Sequence, residues 1–130
     1  MIRKLLFVCV ENSNRSQMAE AFARHHGGTA VEAFSAGSKP SGNINQKAIR
    51  FMGELGIDLA GHRSKSLSDM DGIDFDAVVT MGCGDSCPWL PARLREDWAL
   101  ADPRDLDDDS YRSVRDDISR RIVDLLQRLG

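Results

Sequence analysis

The stretch that decides the fold is FVCVENSNRSQMAE, residues 7–20. It contains the end of an apolar run, residues 3–10, of the kind found in strands that are buried on both faces. A few small polar residues follow, and the helix-forming segment SQMAEAFARHH then begins at Ser16, with Met18 and Phe22 on one face. The stretch therefore predicts a buried strand, a tight loop and a helix.

The rest of the chain repeats this alternation of strands and helices. We predict further strands over residues 30–35, 74–82 and 96–101, and further helices over residues 45–56 and 110–130. Strands that alternate with helices imply a parallel sheet covered on both faces, in which ligands bind at the carboxyl ends of the strands. We therefore predict an α/β fold with a three-layer, doubly wound sheet of four parallel strands, in a single domain spanning residues 1–130.

Length and charge restrict the classes of partner. A chain of 130 residues, 42% hydrophobic and 28% charged, suits one globular domain. The net charge of −3 provides no broad basic surface for nucleic acid or an acidic membrane, so an anion must be bound by a local arrangement of groups. No stretch approaches the length of a membrane span, and the amino terminus lacks a signal-peptide cleavage pattern. We expect a cytoplasmic location and neither nucleic acid nor membrane as partner.

The three cysteines, Cys9, Cys83 and Cys87, are an odd number. Structural disulfides are rare in cytoplasmic proteins, so thiol chemistry is the favoured interpretation. The Cys83 and Cys87 pair has no histidine at zinc-site spacing. The histidines also lack a metal-ligand partner, so we predict no metal and assign surface or capping roles to His25, His26 and His62.

The loop after the first strand has the features of an oxyanion site. Cys9 faces the amino end of the following helix, where unpaired N–H groups and the helix dipole favour a thiolate. Five residues separate Cys9 from Arg15, enough to curl backbone N–H groups around one tetrahedral oxyanion while the guanidinium binds two of its oxygens. Ser16 is predicted to donate its hydroxyl to the sulfur and to cap the helix. The predicted oxyanion contacts are Glu11, Asn12, Ser13, Asn14, Arg15 and Ser16.

The alternative is structural. Cys9 would then be an ordinary buried strand residue, Arg15 a solvated charge and Ser16 only a helix cap. The position of all three residues between a strand and a helix favours the functional interpretation.

Five segments carry a resemblance to a known family: CVENSNRS with QMAEAFAR, FSAG, VVTMGCGDSCPWLP and ADPRDLDDDSYRSVRDDI. Over nearly the whole chain they resemble the thiol-coupled arsenate reductases built on the low-molecular-weight protein tyrosine phosphatase fold. The C-x5-R-S loop is shared with the phosphatases, so it implies the fold and oxyanion chemistry but not the reaction.

The resemblance implies roles for further residues. Asp102, before Pro103 in ADPRD, would protonate the departing oxygen, although without the resemblance it would be taken for a solvated carboxylate. Asn12 would brace the loop. Cys83 and Cys87 match the second and third cysteines of a disulfide relay that releases arsenite, although well-known thioredoxin-coupled members have a longer gap between them. The resemblance implies no tightly bound cofactor but an external reductant: thioredoxin, or a mycothiol or glutathione/glutaredoxin system.

Two other functions remain open from the sequence. A low-molecular-weight protein tyrosine phosphatase needs no second cysteine, and the segment DPRDLDD lacks the aromatic residue that usually flanks a phosphotyrosine site. Gln17 also stands where many related phosphatases have proline, and Trp98 and Tyr111 are interpreted as packing residues. A non-catalytic oxyanion-binding or redox-sensing module is the other alternative, and Asp102 argues against it because a binder needs no proton donor.

Lys65 has two interpretations. In some resembling reductases an acidic residue near this position joins the equivalents of Asn12, Glu20 and Ser35 in a potassium site. Lys65 replaces that acid here, so its ammonium group either stands in for the ion or belongs to a plain surface lysine.

Overall fold

The computed structural model describes residues 2–82 and 87–130. Four strands form one sheet in the order β2-β1-β3-β4, and every neighbouring pair is parallel. The strands are β1 (Arg3–Cys9), β2 (Val31–Gly37), β3 (Phe75–Thr80) and β4 (Ala92–Asp97). This arrangement confirms the predicted α/β fold with four parallel strands.

Within the described residues, three α-helices connect and cover the strands: α1 (Arg15–Gly27), α2 (Gln46–Gly53) and α3 (Asp108–Leu129). The Asn45 side chain caps α2 by accepting the Lys47 N–H, and the Asp107 side chain caps α3 by accepting the Ser110 N–H. Short 3-10 turns cover residues 28–30, 67–70 and 103–105. The predicted helices are therefore present, with boundaries shifted by one to three residues.

The buried side chains lie on both faces of the sheet. On one face, Leu5 and Phe7 of β1 share a large cluster with residues from all three α-helices, including Phe22, Phe51 and Ile118. On the other face, Leu6 and Val8 belong to a smaller cluster, which is covered by residues of the turn Leu67–Met70 and by chain near Leu90. The alternation along β1 explains why its sequence is apolar throughout.

The predicted position of the fourth strand is wrong. We expected it over residues 96–101, where the sequence WALA is apolar, but β4 is Ala92–Asp97. Among the described strands it pairs only with β3, and Leu94 packs against the large cluster while Arg93 and Arg95 are exposed. Trp98 lies beyond the strand and is buried. In an edge strand with one face in water, polar and apolar residues alternate. A continuous apolar run therefore does not mark the position of this strand.

In the described parts of the chain, none of the helices is long and apolar enough to cross a bilayer.

Candidate active site

The candidate site lies at the carboxyl ends of the strands. The chain leaves β1 with β2 on one side and β3 on the other, which makes this point the topological switch of the sheet. A cleft of about 390 Å³ opens here. One wall consists of residues of the oxyanion loop, residues 9–15, with Lys39 beside it, and Asp102 and Arg104 line the other wall. The structure therefore brings the predicted nucleophile, the predicted anion clamp and the predicted acid to one cleft.

The carbonyl groups of the oxyanion loop are bound on its outer side. The backbone N–H groups of residues 38, 39, 41 and 45 donate to the carbonyl oxygens of residues 9, 10, 11 and 13, at 3.3, 2.8, 3.0 and 3.0 Å respectively. Because the carbonyls are turned outward, the N–H groups are left on the concave side, the arrangement of a backbone anion nest. No pattern in the sequence indicated that residues 38–45 brace this loop.

Gly37, the last residue of β2, passes closely under this loop. A Cβ atom at Gly37 would lie 2.5 Å from the Val10 carbonyl oxygen and 3.0 Å from the Asn12 nitrogen. Backbone atoms cannot rotate away as a side chain does, so any larger residue here would push the loop off the sheet.

Asn12 braces the loop from within. Its backbone has φ of 51°, a left-handed conformation that asparagine tolerates better than most residues. The side chain is buried: Nδ2 donates to Ser16 Oγ at 2.8 Å, and Oδ1 accepts the Lys65 N–H at 2.8 Å. The predicted bracing role of Asn12 therefore has a geometric basis.

Cys9 is a buried free cysteine at the base of the cleft. Its Sγ lies 2.8 Å from Ser16 Oγ and 3.2 Å from the Asn12 backbone nitrogen, which donates to it. Because Ser16 Oγ already accepts a hydrogen bond from Asn12 Nδ2, its own hydrogen is free to point at the sulfur. Two hydrogen-bond donors therefore converge on the Cys9 sulfur.

The prediction that Ser16 caps α1 is wrong. The helix begins at Arg15, Asn14 occupies the N-cap position, and no side-chain cap hydrogen bond forms there. Ser16 lies inside the first turn with its hydroxyl directed at Cys9, and Asn14 Oδ1 instead accepts the Tyr111 hydroxyl at 2.6 Å. Burial, with the nearby charge of Asp102, raises the pKa of Tyr111, so the phenol stays protonated as a donor.

Arg15 is anchored to the ends of two other strands. Nη1 donates to the carbonyl oxygens of Met81, just after β3, and Leu100, three residues after β4, each at 2.7 Å. Since the guanidinium is planar, fixing Nη1 orients the whole group. Among the residues described, every hydrogen bond of the Arg15 side chain uses Nη1, which leaves Nε and Nη2 for a ligand in the cleft.

Asp102 starts the short turn Pro103–Asp105, and we call residues 102–106 the acid loop. The Asp102 Oδ1 accepts the Arg104 N–H at 3.0 Å. Lys47 Nζ, from α2, donates to the carbonyl oxygens of Arg104 and Leu106 at 3.0 and 2.9 Å. Asp102 therefore lines the same cleft as Cys9, on a loop fixed through its backbone.

Gln17 is a site residue whose structural role the sequence did not reveal. It is buried, and its Nε2 donates to the backbone oxygen and Oδ1 of Asn12 and to the Arg63 carbonyl. Its Oε1 lies 3.0 Å from Nδ1 of His62. Gln17 thus connects Asn12 to His62, which lies 45 residues after Gln17 in the chain. Local spacing in the sequence does not indicate a contact between residues so far apart.

The surface or capping role assigned to His62 is wrong, because its side chain is only 10% exposed. Nδ1 also lies 3.1 Å from Glu20 Oε2, and Nε2 lies 3.4 Å from Arg24 Nη1. Burial lowers the pKa of His62, the charges of Arg24 and Lys65 lower it further, and the carboxylates of Glu20 and Asp58 oppose them. Nδ1 faces the oxygens of Gln17 and Glu20 and acts as the donor, while Nε2 faces the Arg24 guanidinium and acts as the acceptor.

Lys65 lies beside Glu20 and Ser35, two of the residues that the family resemblance associates with a potassium site. Its Nζ lies 3.4 Å from Glu20 Oε1 and 3.5 Å from Ser35 Oγ, and its side chain is 15% exposed. Its backbone N–H is the one bound by Asn12. These contacts favour the ammonium as a replacement ion over a plain surface lysine. Within residues 2–82 and 87–130, no three His, Cys, Asp or Glu side chains are grouped to hold a metal.

Of the other two predicted site cysteines, one lies outside the described residues and the other lies apart from this cleft. Cys83 falls outside the described residues. Cys87 is disulfide-bonded and packs against the smaller cluster on the second face of the sheet. It lines a separate cavity of about 330 Å³ with Trp89 and Arg95.

Comparisons with known proteins found a matching family model and several similar proteins. The family model described as low molecular weight phosphotyrosine protein phosphatase matches residues 4–130. A glutaredoxin arsenate reductase of Synechocystis is 35% identical over 132 aligned residues, which cover 99% of this chain and all of the relative. A solved arsenate reductase in its phosphate-binding state has a TM-score of 0.91 at 35% identity, covering 99% of this chain and all of that one. A thioredoxin-dependent arsenate reductase of Corynebacterium glutamicum has a TM-score of 0.79 at 33% identity, covering 98% of this chain and 62% of that one.

Proposed function

The chain belongs to the low molecular weight phosphotyrosine protein phosphatase family, and we propose that within it this protein is an arsenate reductase. The observation that carries the proposal is the convergence of Cys9, Arg15 and Asp102 on one cleft, in a chain that has two further cysteines. The full-length similarity to proteins named arsenate reductases supports the same reaction.

The first step is a substitution at arsenic. Arsenate lies in the oxyanion loop, held by backbone N–H groups and by Nε and Nη2 of Arg15. The Cys9 thiolate attacks arsenic and forms an S–As bond, while the As–O bond on the opposite side breaks. Asp102 gives its proton to the departing oxygen, which leaves as water.

The next steps transfer two electrons from protein sulfur to arsenic. Cys83, as a thiolate, attacks the Cys9 sulfur, and the S–As bond pair remains on arsenic, which departs as arsenite. A Cys9–Cys83 disulfide is left. Cys87 then attacks Cys83, which frees Cys9 and forms a Cys83–Cys87 disulfide. An external thiol reductant restores the two thiols, so the protein itself needs no tightly bound cofactor.

The other two functions explain fewer of the residues. A tyrosine phosphatase has no use for Cys83 and Cys87, and none of the described residues that line the cleft is aromatic. A binding or sensing module has no use for a carboxyl group placed beside the anion. Residual phosphatase activity is compatible with the proposal, because both reactions share the first step.

The reductant is proposed as a class. Thioredoxin, or a mycothiol or glutathione/glutaredoxin system, each delivers the two electrons that the last disulfide needs. One similar protein is named as thioredoxin-dependent and another as a glutaredoxin arsenate reductase. A cytoplasmic location fits a relay that depends on such reductants.

We also propose that the site works without a metal ion. The Lys65 ammonium lies 3.4 Å from Glu20 Oε1, where it balances the buried carboxylate that a cation would otherwise neutralise. Arsenate reduction should therefore be indifferent to added potassium.

The decisive test is Cys83→Ser. Arsenite formation under multiple turnover should be lost, because no second sulfur is present to attack the Cys9 sulfur and release arsenite. Hydrolysis of a small aryl phosphate should continue. Arsenite is measured in parallel with thioredoxin, thioredoxin reductase and NADPH, and with mycothiol- or glutathione-coupled reduction.

The matched variant is Cys87→Ser. It should complete one turnover per chain and accumulate a Cys9–Cys83 disulfide, detectable by peptide mapping, because Cys83 reacts before Cys87 is needed. If Cys83→Ser reduces arsenate as fast as the native protein, the relay is wrong and the phosphatase becomes the better assignment.

A further inference from the structure

An ion pair joins the two walls of the active-site cleft. Arg104, in the acid loop, places Nη1 3.0 Å from Oε2 of Glu11, in the oxyanion loop. Both residues line the cleft. Nη2 of the same guanidinium lies 3.9 Å from Oδ2 of Asp102, so the pair stands beside the predicted proton donor.

The exposure of this pair argues against a role in folding. The Arg104 and Glu11 side chains are 50% and 43% exposed, and ion pairs so accessible to water contribute little to stability. The acid loop is already held through its backbone by Lys47. The pair is therefore expected to act on the molecules that enter the cleft rather than on stability.

The stereochemistry of the first step decides which part of a substrate meets the pair. In an in-line attack by Cys9 the leaving oxygen is opposite the sulfur, next to Asp102. In arsenate that oxygen carries at most a hydrogen. In an organic phosphate it carries the rest of the molecule, which must extend along the acid loop, where Arg104 reaches across to Glu11.

We propose that the Glu11–Arg104 pair is a strap that selects inorganic tetrahedral oxyanions over their organic monoesters. An aryl group must break the pair to enter, and among the described lining residues it finds no aromatic ring to stack on in return. Arsenate fits beneath the closed pair. This assignment rests on the proposed function and names what restricts its substrate.

The test is Arg104→Met, which keeps the length of the side chain but removes its charge. The kcat/KM for para-nitrophenyl phosphate should rise by about tenfold, because the entry no longer requires a broken ion pair. Glu11→Gln should give the same rise, and the double variant should exceed neither single variant, since all three lose the same contact. Arg120→Met, an exposed arginine on α3, is the control and should behave as the native protein.

Arsenate binding is measured separately, as the concentration that half-protects Cys9 from iodoacetamide. It should change by no more than about threefold in Arg104→Met, because the strap selects the organic group and not the oxyanion. No rise in aryl phosphate hydrolysis, additive rises in the double variant, or a loss of arsenate protection equal to the gain would each overturn the strap. Failure of the proposed function appears differently, as absence of arsenite formation by the native protein with every thiol reductant.

Discussion

The oxyanion loop and the acid loop face each other across one cleft, and both are held by their backbone carbonyls, but only the oxyanion loop is also fixed by buried side chains. In the oxyanion loop, backbone carbonyls are bound by residues 38–45, and the buried amides of Asn12 and Gln17 fix its shape from inside. In the acid loop, Asp102 is partly exposed, and Lys47 holds the backbone rather than the carboxyl group. The loop that recognises charge is therefore fixed by buried side chains, whereas the proton donor lies on a loop that is open to water.

This contrast separates two kinds of mutational effect. Changes in the oxyanion loop should alter anion affinity as well as turnover, because binding and geometry depend on the same contacts. Changes in the acid loop should alter the chemical step and leave anion binding nearly intact.

The largest effect is expected for Arg15→Lys. An ammonium group keeps the charge but cannot hold two carbonyls and two oxyanion oxygens at once, so kcat/KM for arsenate should fall on the order of 10²–10³-fold. The arsenate concentration that protects Cys9 from alkylation should rise in step. Arg120→Lys, on the exposed surface of α3, serves as the control. Near-native turnover in Arg15→Lys would remove Arg15 as the anion clamp.

Asp102→Asn should give a smaller loss of about 10²-fold in the first chemical step, because the departing oxygen no longer receives a proton. Single-turnover quench experiments measure that step, and arsenate protection of Cys9 should stay close to native. Asp105→Asn, in the same short turn, is the matched control. A parallel collapse of anion binding in Asp102→Asn would erase the distinction between the two loops.

The smallest effect concerns the support behind the oxyanion loop. The folded protein lowers the pKa of His62, so the unfolded chain takes up a proton there first on acidification, and the free energy of unfolding should fall as pH drops below about 6.5. His62→Asn keeps an N–H donor without a titrating ring, so its loss of stability between pH 7.5 and 5.5 should be smaller. Urea unfolding at both values measures the difference.

His26, whose pKa is also lowered by burial and by His25, is present in both proteins and cancels. Equal losses of stability in the native protein and His62→Asn would show that the His62 imidazole does not make the free energy of unfolding depend on pH.

The part of the molecule that the sequence predicted well is the part that is local in the chain. Strand, loop and helix follow one another within residues 3–27, so periodicity was sufficient for these elements, and the spacing of Cys9 and Arg15 was sufficient to bring them to one site. The bracing role of Asn12 was implied by the family resemblance. The position of β4 was not predictable in this way, because an edge strand needs only one apolar face.

The supports of the site escaped prediction for a related reason. Gln17 meets His62, and the oxyanion loop meets residues 38–45, only after the sheet has assembled. The polar side chain of His62 is typical of an exposed residue until its buried partners are known. Contacts of this kind leave no periodic pattern, since each depends on one pairing between distant segments.

Lys65 has a consequence for how the protein responds to its surroundings. A dissolved cation occupies a site according to mass action, so dilution or dialysis empties it, and each occupation orders an ion that was free. An ammonium on a side chain has a fixed local concentration. The entropy cost of placing it is part of the free energy of folding and not of a separate binding equilibrium. Since Nζ lies 3.4 Å from Glu20 Oε1, the positive charge beside this buried carboxylate is a permanent property of the chain.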